Sequence, residues 1–338
     1  MKKVIINKAG AGELVDVPDP VPKDNWVVVK IYSSPLCTEY KAFEAGRASV
    51  SLGHEAAGEV VAVAQPGRLS VGDRVAVMPQ YPCGTCSLCV SGEYIHCEDT
   101  VDFGQYLGTD DGRSTYAQYI VKPDWILPKL PDEVSYDYGA MACCGLGPTF
   151  GAFQRMQLGA GDTVLITGLG PVGLGGVINA SYRGARVIAV DSVLFRRDKA
   201  VELGADTVLA PDDNTLEAIR SLTGGGGVDR ALDCSGNPAA HRLCIDAVRR
   251  KGMVAFVGEC SQDTAIRISP DMIRKGISLV GSWHYNLRDY PKLLKVIQAS
   301  GERLDQLITH RFPMSQVQDA WELQMAGVCA KVVMDPWS

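Results

Sequence analysis

The stretch "TVLITGLGPVG", Thr163 to Gly173, decides the fold. Its first half is an apolar, β-branched run that reads as a strand buried on both faces. Its second half is a glycine turn, Gly168-x-Gly170-x-x-Gly173, in which Pro171 and Val172 open the helical run "PVGLGGVINASYRG". The same alternation continues downstream. "RVIAVD", "DTVLA", "VDRALDCSG", "GMVAFVG" and "ISLVGS" read as strands, with "RRDKAVELG", "TLEAIRSLT" and "PAAHRLCIDAVRR" as helices between them. Apolar strands joined by helical crossovers predict an α/β protein with a doubly wound, six-stranded parallel sheet.

A glycine triplet alone is a weak signal, but here a strand precedes it, a helix follows it, and Asp191 ends the next strand. That context is what a dinucleotide site requires. Gly168 permits the tight turn, Gly170 lets the backbone approach a pyrophosphate, and Gly173 lets helix and strand pack closely. The helix N-terminus at Pro171 and Val172 offers free N–H groups to phosphate. Asp191 can accept hydrogen bonds from ribose hydroxyls and would repel a 2′-phosphate, which favours NAD over NADP. Arg196 and Arg197 lie near the same strand end, where arginine can receive that phosphate.

Upstream the pattern differs. "VVVKIYS", "GEVVAVA", "DRVAVMP" and "YAQYIVK" are short β-type runs separated by glycine and proline. "GAMACCGLGPTFGAFQRM" has the spacing of a buried helix with Pro148 as its interruption. The tail from Trp283 mixes a helix "YPKLLKVIQASG", a strand "ITHRFP", a second helix and a last strand "AKVVMD". The expected division is a β-rich domain at 1–147 and 283–338 and a Rossmann domain at 148–282.

Within the β-rich part, "PCGTCSLCVSGEYIHC" sets Cys83, Cys86, Cys89 and Cys97 at C-x2-C-x2-C-x7-C. Disulfides suit small secreted domains. This chain has 338 residues, 46% of them hydrophobic, and an odd count of 11 cysteines. The spacing therefore reads as a four-thiolate zinc site at 82–97, with His96 as the alternative to Cys97. Such a closed site holds a lobe in shape and performs no chemistry.

The N-terminal "MKKVIINKAGAGELV" contains no apolar run of signal-peptide length, and no run reaches the roughly 18 residues of a membrane span. A cytoplasmic setting is the expectation. A net charge of −6 argues against nucleic acid or an anionic membrane as the partner.

Taken together, "GHEAAGEV", the four-cysteine lobe, "GDRVAV", "CGLGPTFGA" and "GLGPVG" with Asp191 resemble, in order, the zinc-dependent medium-chain dehydrogenase/reductase family of alcohol and polyol dehydrogenases. The resemblance spans essentially the whole chain. It implies a GroES-like catalytic domain and a second, catalytic zinc on Cys37, His54 and Cys144, with Cys143 as the competitor of Cys144. Three protein ligands leave a fourth position for water or substrate. The implied reaction is hydride transfer between an alcohol or ketone substrate and NAD, with two zinc ions per chain and a homodimer or homotetramer. Glu55 would stand behind the ligands and steer their exchange.

Two features depart from the family pattern. Cys37 is followed directly by Thr38 and Glu39, which would serve as the proton relay if one residue is deleted, or Glu39 would itself take the hydroxyl position. The interval between Cys37 and His54 is also shorter than usual, which removes a wall of the substrate pocket. Phe103, Trp283, His284 and Tyr285 fall where such enzymes border substrate or nicotinamide, and "GSWHYN" suits a polyol, sugar or cyclitol. Two other readings stand beside this one: an NAD-dependent epimerase-like enzyme with no net redox, and a zinc-ribbon binding module.

Overall fold

A computed structural model describes residues 1–338. The chain divides into two compact units: 1–144 with 286–298 and 308–338, and 145–285 with 299–307. The second unit thus takes the helix Gly301–Leu307, which lies inside the tail that the sequence division assigned to the β-rich part. No helix is long and apolar enough to cross a membrane.

The first unit is organised by one long strand, Trp26–Pro35. Its side chains alternate between two buried clusters. Val27, Val29 and Ile31 pack with Val60, Val75, Val77 and Ile120, whereas Trp26 and Val28 pack with Phe103 and Val121. Both faces are covered, so the strand reads as a continuous apolar run. Its Trp26–Lys30 segment pairs antiparallel with Tyr119–Pro123 on one side, and its Val28–Ser33 segment pairs antiparallel with Ala56–Ala62 on the other. Its last residues, Ser34 and Pro35, pair antiparallel with Met334 and Val333 of Lys331–Asp335.

This pairing fixes where chemistry can gather. Cys37 follows the C-terminal end of Trp26–Pro35, and His54 and Glu55 immediately precede the antiparallel strand Ala56–Ala62. Antiparallel neighbours bring one strand's end beside the other's beginning. Lys331, the first residue of its own strand, arrives at the same end.

The second unit holds a six-stranded, wholly parallel sheet. In spatial order its strands are Ser278–Gly281, Val248–Phe256, Val228–Asp233, Thr163–Thr167, Arg186–Val190 and Thr207–Leu209. The chain therefore runs outward from Thr163–Thr167 in one direction and then in the other. The order reverses between Thr163–Thr167 and Val228–Asp233, where doubly wound sheets bind their ligands. Leu165, Ile188, Ala231 and Val254 share one core cluster with Ile219 and Ile245.

Two local expectations are corrected. The run 139–156 is not one helix: Tyr136–Ala140 and Gly147–Met156 are separate, and Cys143 and Cys144 lie in the turn between them. Pro148 sits in the first turn of the second helix, where its missing N–H has no partner to lose. Strand Val248–Phe256 begins at the valine assigned to the preceding helix, which ends at Ala247.

Candidate active site and metal centres

The glycine turn has the geometry its sequence demands. Gly168 has φ +80°, and a Cβ there would strike Ser235 at 2.6 Å. A Cβ on Gly173 would fall 1.9 Å from the Gly168 carbonyl oxygen, so only glycine lets the helix Pro171–Tyr182 start so close to the strand. A Cβ on Gly170 would meet nothing within 4 Å, which leaves its outer side open to a ligand.

Asp191 is buried beside this turn. Its Oδ2 accepts the Leu169 N–H at 2.6 Å and its Oδ1 the Val193 N–H at 2.8 Å. Arg196 stands 3.8 Å from the same carboxylate, and Arg197 donates to the Asp191 and Ser192 carbonyls. The floor of the turn is tied down by Asp233, fully buried, which accepts from the Thr167 hydroxyl, the Ser235 hydroxyl and the Gly236 N–H. His241 Nε2 lies 3.1 Å from Asp233 Oδ2, the oxygen that also accepts the Gly236 N–H, and its Nδ1 lies 2.7 Å from the Thr264 hydroxyl. The sequence reading missed this knot. Its signal was a carboxylate closing an otherwise apolar strand.

In the β-rich unit the four lobe cysteines converge, with their sulfurs within 4.8 Å of one another. Cys83 lies 3.9 Å from Cys89 and 3.6 Å from Cys97, and Cys86 lies 3.9 Å from Cys97. Four thiolates on a tetrahedral zinc with bonds of about 2.3 Å sit roughly 3.8 Å apart, so the cage fits that ion. Backbone N–H groups of Thr85 and Cys86 point at the Cys83 sulfur and bring its thiol down to about 6. Gly84 and Gly92 make the turns with φ +79° and +90°. Asn286 clamps the lobe by donating to the Ser91 carbonyl and to Glu93. Cys97, rather than His96, completes the set.

A second cluster joins Cys37, His54, Glu55 and Cys144, again within 4.8 Å. His54 Nε2 is 3.1 Å from the Cys144 sulfur. A tetrahedral zinc would set this pair roughly 3.6 Å apart, so loading asks for a few tenths of an ångström. Cys143 does not group with Cys37 and His54, although its sulfur lies 3.9 Å from that of Cys144 and its thiol 3.7 Å from the His54 carbonyl oxygen. Two thiols, an imidazole and one buried, unpartnered carboxylate oxygen, Glu55 Oε2, form a donor set suited to zinc.

The groups around these donors are as ordered as the donors. Glu39 Oε1 lies 2.7 Å from His54 Nδ1, so the imidazole donates there and keeps its Nε2 lone pair for a metal. Glu39 Oε2 accepts the Cys37 N–H at 3.2 Å and the Tyr116 hydroxyl at 2.8 Å. Burial opposes its ionisation, yet the His54 imidazole outweighs burial and holds the Glu39 carboxyl down to about 2. Glu39 thus meets His54 through one carboxylate oxygen, and Thr38 beside it is exposed. Burial pushes the Glu55 carboxyl up to about 7 against the pull of Lys331, whose Nζ donates to Glu55 Oε1 at 2.5 Å. Lys331 and Tyr116 were absent from the sequence reading. A lysine leading an apolar strand was the available signal for the first, and there was none for the second.

The pocket candidates separate. Phe103 is buried in the core against Trp26 and Tyr81. Tyr285 is buried edge-on to Phe150 and stacks with His284. Trp283 is exposed.

Comparison with known proteins agrees with this anatomy. Residues 23–132 match the alcohol dehydrogenase GroES-like domain, and residues 171–299 match the zinc-binding dehydrogenase family. The chain is 31% identical to a sorbitol dehydrogenase of Bacillus subtilis, over 99% of this chain and 97% of that one. It is 33% identical to an L-threonine 3-dehydrogenase of Symbiobacterium thermophilum, over 97% and 96%. An Escherichia coli CFT073 structure described as a short chain alcohol dehydrogenase complexed with NADH superposes with a TM-score of 0.84 at 25% identity, covering 99% of each chain. The chain belongs to the zinc-dependent medium-chain alcohol dehydrogenase family. It is an oxidoreductase of the alcohol and polyol class, and neither the epimerase nor the zinc-ribbon reading finds support.

Proposed function

We propose that this enzyme oxidises a secondary alcohol of a small polyol-like substrate, or reduces the matching ketone, with NAD rather than NADP and with two zinc ions per chain. One observation carries the reading. Cys37, His54 and Cys144, remote in sequence, present two sulfurs and an imidazole nitrogen to one point, with the imidazole already oriented by Glu39. Relatives named for sorbitol and for the 3-position of L-threonine support a secondary alcohol.

In this reading Cys37, His54 and Cys144 hold the catalytic zinc, and Cys83, Cys86, Cys89 and Cys97 the structural one. A zinc so held supplies Lewis acidity toward an alcohol or carbonyl oxygen. The protein's own part is positional. Glu39 fixes the imidazole tautomer, and the exposed hydroxyl of Thr38 is the candidate to pass on the alcohol proton. Glu55, neutralised by Lys331, offers one further oxygen beside the ligands. Gly168, Gly170, Pro171, Val172 and Gly173 receive the pyrophosphate, and Asp191 the adenosine ribose. Asp191 engages Leu169 and Val193 by one oxygen each, which leaves acceptor capacity for ribose hydroxyls, and Arg196 already faces its carboxylate.

The two compact units are read as a catalytic domain and a dinucleotide-binding domain. A cytoplasmic homodimer or homotetramer belongs to the same proposal. Strand Ser278–Gly281 is the last in its sheet and pairs on one side only, and such edges tend to be covered by a second copy.

The test is metal analysis together with a panel of alcohols, polyols, sugars and amino alcohols, followed by NADH absorbance. Two zinc ions per chain and NAD-linked oxidation of a secondary alcohol are expected. One zinc in fully active protein, or a preference for NADP, would overturn the corresponding half.

A further inference from the structure

We propose that Tyr116 is a positioning residue of the catalytic metal centre: its hydroxyl holds Glu39 so that the carboxylate locks His54 in the metal-binding tautomer. The inference rests on the reading that Cys37, His54 and Cys144 hold a metal, and adds a control point outside that set.

Glu39 Oε1 has a single partner, His54 Nδ1, at 2.7 Å. Its other oxygen has two, the Tyr116 hydroxyl at 2.8 Å and the Cys37 N–H at 3.2 Å. One carboxylate thus bridges the backbone of one ligand and the ring of another. Which oxygen faces the imidazole, and at what angle, depends on what grips the far side. The Cys37 N–H is the longer bond, so the phenol is the firmer grip.

The phenol itself cannot wander. Tyr116 is completely buried, packed in the cluster of Val4, Ile6, Leu36, Leu52 and Trp321. Its backbone is fixed on both sides, its N–H donating to the Leu52 carbonyl and its own carbonyl accepting the Val4 N–H. Its ring lies against Gly53, next to His54, where even a methyl group would come within 2.3 Å of the ring. Burial and the neighbouring Glu39 carboxylate keep the phenol protonated, so it is always the donor. The core of the β-rich unit is in this way connected to the imidazole through Tyr116, Glu39 and His54. A carboxylate left without such a grip can rotate, and a rotated carboxylate releases the Nδ1 proton that fixes which nitrogen faces the metal.

The experiment is chelator challenge of the zinc-loaded enzyme. Tyr116→Phe keeps the ring and removes only the hydroxyl. We expect the metal at Cys37, His54 and Cys144 to leave about tenfold faster, the low end of what outer partners of metal ligands contribute. The lobe metal should leave at the wild-type rate. In cobalt-substituted protein the visible band of the catalytic site should move, which a loss of packing alone would not cause. In a Glu39→Gln background, Tyr116→Phe should add less than twofold, since both act through one path. Equal release rates in wild type and Tyr116→Phe, or full additivity with Glu39→Gln, would overturn the proposal. Should Tyr116→Phe not fold, Glu39→Asp tests the same bridge: the shortened carboxylate cannot reach both partners, faster release is expected, and an unchanged rate overturns it. His54→Ala separates the two levels. If it still holds both metals, the ligand reading fails and this proposal with it; if it loses one while Tyr116→Phe behaves as wild type, this proposal alone fails.

Discussion

Lys331 Nζ lies 2.5 Å from Glu55 Oε1, and both side chains are almost wholly removed from solvent. Lys331 opens one strand and Glu55 immediately precedes another, and these two strands meet only through the long strand between them. A buried pair of this kind adds little net stability, but losing one partner strands the other. Lys331→Met should therefore lower stability by about 3–5 kcal/mol in denaturant unfolding. The double variant Lys331→Met with Glu55→Gln leaves no uncompensated charge and should recover most of that loss. A double variant as unstable as the single would show that packing around Lys331, not its charge, is what matters.

Asp191 gives a prediction about cofactor choice. Its carboxylate accepts from Leu169 and Val193 and faces Arg196 at 3.8 Å. On the proposed reading, Asp191→Ala removes the ribose acceptor and frees the guanidinium for a 2′-phosphate. NADH binding should weaken at least tenfold, from the loss of charge-assisted hydrogen bonds worth about 1.5–3 kcal/mol. The ratio of kcat/KM for NAD over NADP should fall further still. An unchanged ratio would place the discrimination elsewhere.

The acid side of the stability profile should report Asp229. This partly buried carboxylate accepts the Thr163 N–H at 2.8 Å and the Arg249 guanidinium at 2.6 Å. Burial works against ionisation, but those two donors prevail and lower its pKa on folding. The unfolded chain therefore holds this proton more tightly than the folded one. The stability Asp229 contributes is complete above the unfolded carboxylate value of about 4 and is lost as pH falls through the folded value below it. Asp229→Asn should flatten this part of the acid limb in pH-dependent unfolding. A limb of unchanged slope would assign the loss to other carboxylates.

How much of this was legible in the sequence follows from distance along the chain. The Gly168–Gly173 turn and the Cys83–Cys97 cage were readable because each is local, with spacing set by one turn or one loop. The six parallel strands were readable because each is an apolar run with turn residues at its ends. Cys37, His54 and Cys144 needed a family resemblance, since only the antiparallel register of Trp26–Pro35 and Ala56–Ala62 unites the first two. Tyr116 and Lys331 enter through other strands and loops and were missed. The partners of Glu39 were not legible for a related reason. Its place after Cys37 and Thr38 suggested a proton relay, and the structure adds His54, Tyr116 and the Cys37 N–H on its oxygens, none of them visible from its neighbours in sequence. The single helix expected over 139–156 failed because Pro148 marks a helix start, not an interruption.

The adjacent cysteines 143 and 144 offer the sharpest test of the metal centre. Their sulfurs lie 3.9 Å apart, but only Cys144 groups with both Cys37 and His54. The Cys144 sulfur lies 3.1 Å from His54 Nε2 and groups with Cys37. Cys143 is buried, and its thiol reaches the His54 backbone carbonyl at 3.7 Å. On the proposed ligand set, Cys144→Ser should lose one metal per chain and lower turnover by orders of magnitude, because a neutral hydroxyl would replace a thiolate. NADH binding should persist, since the glycine turn and Asp191 are untouched. Cys143→Ser should keep both metals and most activity, at a stability cost of about 1–2 kcal/mol for a buried polar substitution. Metal content per chain, measured on both variants after gel filtration, decides. Metal loss from Cys143→Ser with retention in Cys144→Ser would reverse the assignment. Retention in both would make Glu55, with its unpartnered oxygen among the same donors, the next ligand to replace.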